Sequence, residues 1–93
     1  MATMRTLNGA IGEWIIDSFT GTTTGSGSLN LGISSDLYDI TSAYTLIQDG
    51  TVSLFCIPFV SSDKDWRINV RRVTDLTAYA STSITVYFLK RGK

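Results

Sequence analysis

Histidine is absent from this chain of 93 residues, cysteine and proline occur once each, and eight basic side chains cancel eight acidic ones. Each absence closes off a kind of chemistry. Without histidine, the usual general base near neutral pH and the commonest metal ligand are missing. Neither a Ser-His-Asp triad nor a structural zinc site can then be built around one thiol. That thiol, Cys56, has no internal disulfide partner and reads as a small buried hydrophobe within the run LFCIPFV. The run spans seven residues, against about 20 for an apolar helix that crosses a bilayer. The first stretch, MATMRTLNGAIGEW, has one arginine and no uninterrupted apolar block, so no signal peptide is expected. Zero net charge supplies no overall field toward nucleic acid or anionic lipid. The charges are nonetheless uneven: seven of the eight basic residues lie from Lys64 onward, and six of the eight acids lie at or before Asp63. This asymmetry draws the two halves together or serves packing between copies.

Helical patterning is also missing, and about a quarter of the chain is Ser or Thr. The apolar period is two, which predicts strands. SLNLGI places Leu29, Leu31 and Ile33 on one face. WRINVRRV places Trp66, Ile68 and Val70 opposite Arg67, Asn69 and Arg71. SITVYFLK places Ile84, Val86 and Phe88 opposite Thr85, Tyr87 and Leu89. Further strands are expected near 13–20, 43–48 and 51–60. Asp49-Gly50 is a hairpin signal, and SSDKD (61–65) and TDLTAYAS (74–81) read as polar loops. Residues 20–28, TGTTTGSGS, read as a flexible loop or linker. This divides a single domain into an N-terminal strand or arm (1–19), the loop or linker, and a β body (29–93). Six to seven short strands predict an all-β fold, a small antiparallel β-sandwich of jelly-roll-like form, with a small barrel as the alternative.

A sandwich strand normally has one apolar and one wet face. Strand 51–60 is apolar on both, with Phe55, Ile57 and Phe59 on one side and Val52, Leu54, Cys56 and Val60 on the other. Strand 84–89 adds Tyr87 and Leu89 opposite its main row. Apolar surface that one short chain cannot cover predicts self-association, with Val52, Leu54, Phe55, Phe59, Tyr87 and Leu89 as interface candidates. Pro58 cannot donate to a ladder and predicts an edge or a bulge.

No constellation points to catalysis. Asp36/Asp39 and Asp63/Asp65 are carboxylate pairs of the sort that glycosidases hold apart, but they sit in turn-like sequence where Asp bonds its own backbone. Calcium binding by SSDKD is disfavoured by Lys64 at its centre, and no glycine motif cradles a phosphate. No metal or cofactor is expected, and the chain reads as non-enzymatic. Arg67, Arg71 and Arg72 beside aromatics would suit a single-strand nucleic-acid groove. Zero net charge and the lack of an aromatic stripe on the same strand face favour a solvated face instead. Trp66 is expected in the core, whereas Ile15 and Ile16 on both faces leave Trp14 unassigned. Tyr38, Tyr44 and Tyr79 are placed in or near loops, where tyrosine can stack on a sugar and hydrogen-bond.

From Leu31 onward, the blocks ISSDLYDITSAYTLI, DG, TVSLFCIPFV, WRINVRRVTD and STSITVYFLKRG resemble in order and pattern the small distal β-sandwich domains of tailed-phage fibre and baseplate (receptor-binding) proteins. The likeness covers residues 31–92, about two-thirds of the chain. It implies a virion structural module made in the host cytoplasm. Such a module is typically trimeric, assembles with other virion proteins, and binds a host-surface saccharide or protein or caps a fibre. It carries no catalytic motif. Loop positions concentrate binding groups, so Tyr38, Tyr79, Asp63 and Lys64 are the expected ligand contacts. The alternatives are a capsid or tail decoration or adaptor subunit with no soluble ligand, and a single-strand nucleic-acid-binding small barrel.

Overall fold

Strands that alternate apolar and polar side chains are buried by stacking two sheets face to face, and this chain does so. The computed structural model describes residues 14–46 and 53–93. They form six strands and no helix: β1 (Ile15–Thr22), β2 (Ser28–Ser34), β3 (Tyr38–Thr45), β4 (Leu54–Val60), β5 (Asp65–Arg72) and β6 (Ser83–Gly92). One antiparallel sheet has the order β1-β6-β3 and the other β2-β5-β4. Only the β4–β5 link stays within a sheet; every other link passes between the two. The result is a small antiparallel β-sandwich.

β5 and β6 are the central strands, and their inward rows are the core. Ile68 and Val70 meet Ile84, Val86 and Phe88, with Leu29 and Leu31 from β2 and Ile40 from β3 completing the buried cluster. All but Ile40 belong to rows that alternation assigns. Trp66 packs on the rim of the cluster. Its indole N–H donates to the Tyr38 carbonyl at 2.9 Å, which ties the sheets together at one end.

Two alternatives left open by the sequence are resolved and one expectation is corrected. β1 pairs with β6 from Ile15↔Lys90 to Thr22↔Ser83, so residues 15–19 are a sheet strand and not an arm. Residues 20–28 are not a linker: 20–22 finish β1, Ser28 opens β2, and only a tight turn lies between. β3 starts at Tyr38, five residues before the strand expected at 43–48, because a bulge carries the pattern across Ser42. That residue has φ +54°, and the register slips between Thr41 and Tyr44. The Asp49-Gly50 turn is outside the described residues. The strands it was expected to pair, β3 and β4, lie in different sheets.

Pro58 sits at the edge, as its chemistry requires. The Val73 N–H reaches the Ser53 carbonyl, whereas the Val70 N–H reaches Gly27 on the other side. Odd-numbered residues of β5 therefore bond toward β4 through Phe55, Ile57 and Phe59, and the ladder loses nothing at Pro58. Its missing donor falls on the free side, where it discourages strand addition.

The turn after β1 is held by hydroxyls. Thr23 is buried; its N–H donates to the Thr82 carbonyl at 3.0 Å. Its Oγ1 donates to the Tyr79 carbonyl at 2.7 Å and accepts from the Thr82 N–H at 3.0 Å. Gly27 follows at φ +81°, where an added Cβ would stand 2.9 Å from the Val70 carbonyl oxygen. Thr23→Val keeps the shape of the side chain but strands one acceptor and one donor, a cost of about 1–3 kcal/mol. Urea unfolding should show that loss for valine and a much smaller one for serine. Equal stability of the valine variant would mean that the hydroxyl anchors nothing.

Candidate functional site

The four expected ligand contacts do not converge. Tyr38, Asp63 and Lys64 belong to one end of the sandwich, where the β2–β3 and β4–β5 turns meet through the Ser35 N–H and the Lys64 carbonyl (2.8 Å). Tyr79 belongs to the opposite end, where its N–H donates to Val70 at 2.9 Å. Tyr38 is a strand residue, not a loop residue, with the Lys90 ammonium 4.9 Å above its ring. Tyr79 packs on the core, with the Arg72 guanidinium 5.4 Å over its ring.

Asp63 is occupied by its own turn. Its carboxylate accepts from the Ser61 hydroxyl, the Asp65 N–H (3.1 Å) and Arg67 (2.9 Å). Those bonds, led by the Ser61 hydroxyl, hold its pKa down to about 2. Lys64 is exposed at φ +64°, on the tip of the same turn. Of the paired acids, Asp36 and Asp63 lie in turns. Asp39 instead lies in β3, bound to Arg91 at 2.7 Å with Lys93 at 3.7 Å. No group of three or more potential metal ligands comes together among the described residues. Cys56 packs against the core, where burial pushes its thiol up to about 11.

The arginines are likewise engaged. Arg67 also donates to the Ser61 hydroxyl, Arg71 to the Leu76 carbonyl, and Arg72 to Thr77 and Ala78. Register adds what one strand could not reveal: Phe55 is opposite Arg71, Ile57 opposite Asn69, and Phe59 opposite Arg67. The aromatics missing from β5 stand on the same outer face, one strand away.

The interface candidates therefore divide between two opposite faces. Phe55 and Phe59 join Ile57, which is 45 % exposed, in an outward row on edge strand β4. Leu54 points the other way and packs on the core. Val52 is outside the described residues. Tyr87 and Leu89 lie on the outer face of the other sheet, where register sets Ile16 and Thr41 beside Leu89 and Tyr44 beside Tyr87. The Tyr44 and Tyr87 rings stack 5.4 Å apart and 18° from parallel. Sequence reading placed Tyr44 near a loop and missed this pair, because the Ser42 bulge sets the register that brings the rings together. Beside Tyr87 lies an open depression of about 290 Å³.

Comparison with family models, with curated proteins and with solved structures finds no match. The functional reading therefore rests on geometry, residue chemistry and the pattern resemblance of residues 31–92.

Asp63 gives the site a pH signature. A carboxyl held from its ordinary 3.8 down to about 2 stabilises the fold above the ordinary value and loses that contribution as pH falls toward the lower one. Asp17, Asp39 and Asp75 shift in the same direction. Stability measured by urea titration should fall between pH 4 and 2, and Asp63→Asn should flatten part of that fall. An unchanged slope in the variant would show that the turn does not depend on this charge.

Proposed function

We propose that this protein is a non-enzymatic structural module of a phage or prophage particle, part of a tail fibre, baseplate or similar assembly. It self-associates, with a trimer favoured, and contributes to attachment at a host surface. The supporting observation is the outward row Phe55, Ile57 and Phe59. An edge strand bordering solvent normally carries charges there, whereas this one carries three large apolar groups beside the stems of Arg67 and Arg71. Such a row favours burial against another protein surface. A second copy is the occupant we favour, since Ile57 stands exposed at the centre of the row between the partly buried Phe55 and Phe59. The blocks over residues 31–92 that resemble distal fibre domains point to the same assembly. A decoration or adaptor subunit with no soluble ligand would use the same row against a different virion protein.

Light scattering at high concentration should give a mass above that of the 10.2 kDa chain. Ile57→Asp, at an exposed position, should reduce it to one chain without unfolding. A monomeric wild type rejects self-association through this face.

The adjacency of Phe55 to Arg71 and of Phe59 to Arg67 favours a second reading, single-strand nucleic-acid binding. It ranks lower because Asp63 is bound to Arg67 and the chain has no net charge. A fluorescein-labelled oligothymidine titrated at low salt should give no binding. Affinity that falls steeply with salt and is lost in Arg71→Ala would reverse that order.

A further inference from the structure

The outer face of the β1-β6-β3 sheet differs in chemistry from the β4 face, and it holds the depression. Among the described residues the depression is lined by Thr45, Leu46, Ser83, Ile84, Thr85 and Tyr87. No charged side chain lines it among the described residues. Ser83 is exposed, and Leu46 is 69 % exposed at its rim. Ile84 turns its side chain into the core and so presents only backbone here. Thr45 spends its hydroxyl on the Thr85 carbonyl at 2.8 Å.

Two features make the depression a prepared surface. Tyr44 backs Tyr87 across the strand pair, so the Tyr87 ring is held by stacking before any ligand arrives. Held rings bind at a lower ordering cost than free ones. Hydroxyls also continue away from the ring: Thr85 and Thr20 bond at 2.7 Å across β6 and β1, and Ser83 and Thr22 are opposed one step further along. Each hydroxyl both donates and accepts.

We infer that this depression is a binding site for a neutral sugar ring, with Tyr87 as the platform and Thr85 and Ser83 as the hydroxyl contacts. A pyranose has an apolar C–H face that fits an aromatic ring and a rim of hydroxyls that fits Ser and Thr. A phosphate, nucleotide or carboxylate would need a cation, and the lining holds none among the described residues. The volume is close to the lower bound of about 300 Å³ for small-ligand pockets, which suits one ring better than a chain. The inference deepens the attachment half of the proposed function and rests on it. It moves attachment from the expected Tyr38, Tyr79, Asp63 and Lys64 to a face pointing away from the β4 row.

The test is an NMR titration of ¹⁵N-labelled full-length protein with glucose, galactose and N-acetylglucosamine, with a polyproline peptide run in parallel. At least one sugar should produce saturable shifts concentrated at 45–46 and 83–87. Tyr87→Ala should weaken binding at least tenfold and Thr85→Val several-fold, while Tyr79→Ala leaves it unchanged. Tyr87→Leu serves where the alanine variant does not fold, since it keeps bulk and removes the ring. No saturable shift with any of the three sugars overturns the inference. So do shifts centred elsewhere, binding by the peptide alone, or Tyr87 variants that bind like the wild type. The titration is repeated on Ile57→Asp and the mass is measured separately. A monomer that still binds sugar rejects assembly alone, and an oligomer that binds none rejects this site alone.

Discussion

Packing between the inward rows of β5 and β6 is the constraint on which the rest of the molecule depends. Each of these strands is flanked on both sides, and Ile68, Val70, Val86 and Phe88 are almost wholly removed from water. In a chain this short a modest fraction of the surface is buried, so few positions carry the hydrophobic stabilisation. The ends are closed by polar groups rather than by more core: the Trp66 indole on the Tyr38 carbonyl at one end, and Thr23 between Tyr79 and Thr82 at the other. Both bonds join segments far apart in sequence: the first ties β5 to β3 across the two sheets, and the second fixes the loops around Thr23 and Thr82.

The charge asymmetry has a structural use. Acids from the first half meet bases at the end of β6: Asp17 binds Lys90 at 2.7 Å, and Asp39 binds Arg91 at 2.7 Å. These pairs knit β1 and β3 onto β6 where the sheet runs out of apolar side chains. Trp14 covers the same corner, with the Arg91 guanidinium 4.7 Å over its ring. The pairs are partly exposed and of modest energetic weight, but they favour one register. In a sheet a one-residue slip would turn every side chain to the wrong face.

With the inward rows spent on the core, the two outer faces are left for contact with other molecules, and they differ. The β4 face is apolar with arginine stems and suits a large, flat partner. The face bearing Tyr44 and Tyr87 is hydroxylated and indented near Tyr87, with the Asp39–Arg91 pair at its far end. Because the faces point in opposite directions, occupancy of one does not obstruct the other. The proposed self-association through one face and sugar binding at the other would both need such an arrangement.

Alternation along the chain determined the all-β class and the inward rows of β2, β5 and β6, because each depends only on which neighbours share a face. With β4 apolar on both faces, which of its rows points outward was left to the tertiary structure. Proline's missing N–H signalled an edge or a bulge at Pro58, and strand order makes it an edge. Tertiary structure decided which outward side chains stand together. Phe55 beside Arg71 and Tyr44 against Tyr87 are cross-strand neighbours, and their register is set by turns and by the Ser42 bulge. Tyr38 and Tyr79 were separated for the same reason: they close opposite ends of the sandwich. A period of two says where a side chain points but not what lies across from it, and strand pairing over tens of residues settles the second.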